Sequence, residues 1–63
     1  MVHQSPVSKT LVLSPEVIAD ERDKVHIDEQ VRAMTGRREF EVVEVRRVLD
    51  SKGRTRSFEV DIR

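Results

Sequence analysis

Five cations crowd one short stretch of the chain: Arg46, Arg47, Lys52, Arg54 and Arg56, with Asp50 as the one acid among them. A guanidinium holds its donors in a planar fork that fits two oxygens of a phosphate. Arg46, Arg47, Arg54 and Arg56 are therefore candidates for holding a phosphate-bearing small ligand or a nucleic-acid backbone. The same charges also suit an edge hairpin kept soluble by repulsion. The other residue types that do chemistry are sparse. Gly36 and Gly53 are the only glycines, so a glycine-rich phosphate loop cannot form, and neither Gly-x-Ser-x-Gly nor His-Glu-x-x-His occurs. There is no cysteine, which removes disulfides, thiolate metal sites and cysteine nucleophiles. His3 and His26 are 23 positions apart and share no helix turn, so no structural metal is expected. The carboxylates at Asp20–Glu29 and at Glu39, Glu41 and Glu44 alternate with arginines and lysines and read as solvated faces. His26 reads as a surface or helix-interface residue. No enzyme is expected.

Elements must place these cations, and their signals differ in clarity. Lys9-Thr10-Leu11-Val12-Leu13 is a short strand by composition. Ser14-Pro15-Glu16 after it is a helix-start signal, with Ser14 as cap, proline in the first turn and an acid near the positive dipole end. Pro15–Thr35 then lacks internal glycine and proline, and Gly36 reads as a stop. The apolar stripe inside that span is interrupted by Asp20-Glu21-Arg22-Asp23-Lys24, so one helix, a broken helix, or a Lys24–Ile27 strand followed by a helix from Asp28 all fit. Glu39–Leu49 is dense in β-branched residues, Asp50-Ser51-Lys52-Gly53 has hairpin-turn chemistry, and Arg54–Ile62 returns as a strand. In that return Phe58, Val60 and Ile62 alternate with Ser57, Glu59 and Asp61, the mark of one buried face. Phe40 and Val42 have the opposite parity to Val43 and Val45; a bulge near Val42-Val43 would bring Phe40, Val43 and Val45 together.

The expected fold is α+β: a βαββ domain over 9–63, with a three-stranded antiparallel sheet packed on one helix, after a flexible N-terminal arm over 1–8. Sixty-three residues with 37% hydrophobic content and two aromatics give a thin core. Chains of this size are usually stapled, and with disulfide and metal set aside the staple expected is association with identical copies. The net charge is zero, so bulk electrostatics hold the chain to neither nucleic acid nor membrane. The longest apolar run is Leu11–Leu13, far too short for a membrane span or signal core, and a cytoplasmic protein without a membrane partner is the expectation. The charge is nevertheless polarised. Residues 1–31 carry three cations against six acids, and residues 32–63 carry nine against six.

The strand-to-helix motif Ser14-Pro15-Glu16, the strand Phe40-Glu41-Val42-Val43-Glu44-Val45-Arg46, the turn glycine Gly53 and the return Phe58-Glu59-Val60 together resemble the dodecins, over about residues 7–63. Dodecins are small βαββ proteins that assemble into hollow dodecamers and bind flavins. The resemblance implies self-association and a flavin as the ligand. Where that family places the tryptophan that stacks on the flavin, this chain has Glu39, and where it places a glutamine on the flavin edge, this chain has Glu59. Arg46 is the residue that carries over, toward a ligand phosphate or a subunit contact. The alternative reading is a small DNA-binding regulator, in which residues 28–49 form a helix-turn-helix with Arg38–Leu49 as recognition helix and the basic hairpin, 46–57, as a wing. The four valines at 42, 43, 45 and 48 weigh against that helix.

Overall fold

The structure, a computed structural model, describes residues 9–63; the arm expected over 1–8 lies outside the described residues. The elements run β1 (Lys9–Leu13), α1 (Lys24–Thr35), β2 (Val42–Leu49) and β3 (Thr55–Ile62). The strands form one antiparallel sheet in the order β1-β3-β2, with α1 against one face, which is the βαββ arrangement expected. β3 is the centre strand because it alone offers a full period-two apolar face to both neighbours. Leu11 pairs with Val60 and Leu13 with Phe58 on one side; Val45 pairs with Val60 on the other. Phe58, Val60 and Ile62 are buried, as are Leu11, Leu13, Ile18, Ile27 and Val31, and no polar side chain is buried among the described residues. Ile27 and Val31 stand one helical turn apart and so meet the sheet along a single stripe.

The helix is shorter than the sequence suggests. It begins at Lys24 rather than Pro15, and residues 14–23 form turns. The cause lies in the aspartates: the Asp20 carboxylate accepts from the Arg22 N–H at 2.7 Å, and the Asp23 carboxylate from the Ala19 N–H at 3.1 Å. These side chains take donors that a helix would have used. Asp23 rather than Ser14 is the N-cap, while the Ser14 hydroxyl accepts from the Glu16 N–H at 3.1 Å and closes a local turn. The turns let Ile18 drop into the core beside Ile27. The stop at Gly36 is as read: φ is +70° and its N–H donates to the Arg32 carbonyl at 2.8 Å, the left-handed cap that glycine favours.

The structure also makes the second strand the one expected and not the recognition helix of the alternative reading. Val42–Leu49 is a strand, because four β-branched residues favour the pleated ladder with β3 over a helix. A bulge sits where it was expected, between Val42 and Glu44, but it sorts the valines differently. Val42 pairs with Ile62 and, with Phe40 and Val45, packs against the core; Val43 is the extra residue and is 45% exposed. The strand then turns at Asp50–Gly53, with Gly53 at φ +79°. The Asp50 carboxylate accepts from the Lys52 and Arg54 N–H groups at 2.8 and 2.9 Å, so one aspartate organises the whole turn.

The two valines at the bulge give a direct check. Val42→Ala is expected to destabilise by about 1 kcal/mol, and Val43→Ala by less than about 0.5 kcal/mol, in urea denaturation. Ile27→Ala, in the core, is expected to cost about 2–5 kcal/mol in the same assay.

Candidate functional site on the open sheet face and hairpin tip

The face of the sheet away from α1 is built by the other half of the alternation. The register lines up Thr10 with Asp61, Val12 with Glu59, Glu44 with Asp61, Arg46 with Glu59, and Val48 with Ser57. Arg46 is the hub. Its Nη1 and Nη2 donate to the two oxygens of Asp61 at 2.7 and 2.9 Å, a bidentate fork; Nη1 also meets Glu44, and Nε donates to Glu59 at 3.3 Å. Thr10 Oγ1 donates to Asp61 at 2.6 Å. One carboxylate thus links all three strands, β1 through Thr10 and β2 through Arg46. The Arg46 fork, followed by the Thr10 hydroxyl, draws the Asp61 carboxyl down to about 2. Arg46 itself is pushed further up by Asp61 first and Glu44 second, so it stays charged at every ordinary pH.

The four arginines singled out by the sequence therefore fall into two pairs. Arg46 is surrounded by three carboxylates. Arg47, on the α1 side opposite Phe58, reaches Glu21 of the loop before α1, and its guanidinium lies 5.8 Å from the centre of the Phe58 ring. The cation lies over the face of that core ring. Arg54 and Arg56 stand exposed at the hairpin tip with Lys52, and none of the three has an ion-pair partner among the described residues. A register shift between Val48 and Leu49 leaves Arg56 as the extra residue of β3 there. Tip and open face differ in sign: Lys52, Arg54 and Arg56 cluster at one, while Glu44, Glu59 and Asp61 outnumber Arg46 on the other.

Two grooves flank α1. The larger, about 570 Å³ and wide open, runs between α1 and residues 38–42. Lys24, Arg32 and Arg38 line it against Asp28, Glu39 and Glu41, so its charges cancel, and the Arg32 guanidinium lies 5.8 Å from the Phe40 ring centre. The smaller, about 440 Å³, is lined by Pro15–Ala19, Asp23, His26 and Gln30. Here His26 has the partner that sequence reading missed: its Nδ1 is 2.7 Å from Asp23, three residues earlier. A histidine three residues after an N-cap aspartate was the available signal, since the shared helix turn brings the two together. The hydrogen bond to Asp23 raises the His26 pKa. The Asp23 carboxyl is lowered, first by the Ala19 N–H and then by His26. No serine, threonine or lysine lines this groove, and the pair acts as the cap of α1. Among the described residues no three His, Asp or Glu side chains converge on a metal site, and no helix is long and apolar enough to cross a membrane.

Two pH responses follow. His26 has a raised pKa when folded, so its contribution to stability is complete below its unfolded value of 6.5 and fades as pH rises through the higher folded value. His26→Gln is expected to flatten the change in Tm between pH 6 and pH 8. Asp61 is depressed, so its contribution is complete above 3.8 and fades as pH falls through about 2. Carboxyl NMR titration is expected to place the Asp61 midpoint near 2, and to return it toward 3.8 in Arg46→Gln. A midpoint that stays near 2 in that variant contradicts the fork as its cause.

No family model matches this chain, and no curated protein and no solved structure matches it.

Proposed function

We propose that this domain is a non-enzymatic, cytoplasmic self-associating module, whose assembled form offers the basic hairpin tip to a phosphate-bearing small ligand. The observation that supports it most is an unpaired sheet edge. β2 is paired with β3 on one side only, through seven of its eight residues, and Phe40, Val42 and Val45 lie half-buried along its α1 face. A domain with eight buried apolar residues among the described ones, and no cysteine to cross-link it, gains stability when a copy covers such an edge. In this reading ligand capture falls to Arg54 and Arg56, assisted by Lys52, because carboxylates already occupy the guanidinium groups of Arg46 and Arg47. A flavin mononucleotide is the first ligand to try, given the dodecin-like motifs; its ring has no tryptophan to stack on at Glu39, so the phosphate must supply much of the affinity.

Light scattering at about 100 μM protein is expected to give a mass well above the 7.3 kDa of one chain; a single-chain mass overturns the assembly. Flavin mononucleotide fluorescence is expected to quench at tens of micromolar protein, with riboflavin quenched several-fold less. Joint Arg54→Ala and Arg56→Ala substitution removes the difference. Unchanged fluorescence for both flavins rules the flavin out. Binding to duplex DNA that falls steeply with salt would instead place a nucleic-acid backbone at the tip.

A further inference from the structure

We propose that two copies of this chain join edge to edge through β2, in one register centred on Val45, to form a continuous six-stranded antiparallel sheet with both helices on the same side. This rests on the self-association reading above and names its contact. β2 is the edge suited to it: it is an eight-residue strand, unbroken from Glu44 to Leu49, whereas β1 at the opposite edge has five residues and a single charge, Lys9.

The register follows from sidedness and charge. A two-fold axis perpendicular to the sheet keeps each side chain on its own face, so partners must come from the same face, and a one-residue slip is excluded. On the open face β2 presents Glu44, Arg46 and Val48; on the α1 face it presents Val45 and Arg47. Centring the axis on Val45 sets Glu44 of one copy opposite Arg46 of the other, twice by symmetry, with the two Val45 side chains in contact between them. Moving the axis by one residue sets Arg46 against Arg46 in one direction and Glu44 against Glu44 in the other, and a further step toward the turn sets Arg47 against Arg47. Like charges directly opposed destabilise a strand pair, and opposite charges stabilise it. The Val45 register is the one in this range that pairs every open-face charge with its opposite. It also extends the network already present, since Arg46 bridges Glu44 and Asp61 within its own chain. The half-exposed Val42 and Val45 of the two copies then form a strip along the joined helix-side face.

Cysteine cross-linking reads the register directly. In this pairing two Val45 Cα atoms lie about 4.5–5.5 Å apart, within disulfide reach, while two Val43 Cα atoms lie about 13 Å apart. Under mild oxidation Val45→Cys is expected to give a covalent dimer at least tenfold faster than Val43→Cys, although Val43 is the exposed side chain at the bulge. Glu44→Arg sets like charges opposite each other at two places and is expected to weaken the dimer roughly tenfold or more by light scattering, with circular dichroism unchanged. If the protein is multimeric but Val45→Cys cross-links no faster than Val43→Cys and Glu44→Arg leaves the mass unchanged, this interface is wrong and the self-association reading survives. If every form is a single chain at 100 μM, both fall.

Discussion

The fold depends on the apolar face of one strand. β3 is flanked on both sides, and its Phe58, Val60 and Ile62 are the surface on which β1, α1 and β2 all converge. Leu11 and Leu13 reach it through β1, Ile27 and Val31 through α1, and Val45 through β2. A chain with so few apolar side chains cannot build two cores, and it concentrates them where one strand serves three partners. The other face of the same strand, Ser57, Glu59 and Asp61, is then free for polar work, and the Arg46 fork on Asp61 uses it to tie the edges to the centre.

Much of this was legible in the residues. The alternation of Phe58, Val60 and Ile62, the turn aspartate and glycine at 50–53, and the stop at Gly36 each rest on local geometry that sequence encodes directly. What was illegible depended on competition between near-equal options. Nothing in the order Asp20–Lys24 says whether aspartate side chains or helix carbonyls will take the nearby N–H groups, and the side chains win once Ile18 gains a place in the core. The bulge at Val43 was visible as a parity clash, but a parity clash does not say which of two valines is extruded. That is decided across the sheet, by Ile62 taking Val42 as its partner.

The candidate site was legible as a set of charges and not as an arrangement. Arg46, Arg47, Arg54 and Arg56 are alike in sequence, yet strand pairing brings Glu59 and Asp61 to Arg46 beside its near neighbour Glu44, the loop before α1 brings Glu21 to Arg47, and the tip leaves the last two in solvent. His26 shows the reverse case: its partner Asp23 is only three residues away, but the pairing depends on the helix starting at Lys24 and not at Pro15. Pairing across a sheet is a long-range property, and capping is a short-range one that needs the right boundary.

The centrality of β3 has a kinetic side. It is the last of the four elements to be synthesised, and Lys9 must find Ile62 across 53 positions, whereas Leu49 finds Thr55 across six. The hairpin closes locally, and closing the loop to β1 costs about 2 kcal/mol more, since closure entropy grows only with the logarithm of the separation. Until the final strand leaves the ribosome, Leu11, Leu13, Ile27 and Val31 have no sheet to cover them. The apolar side chains of the first two elements therefore stay exposed longest as the chain emerges.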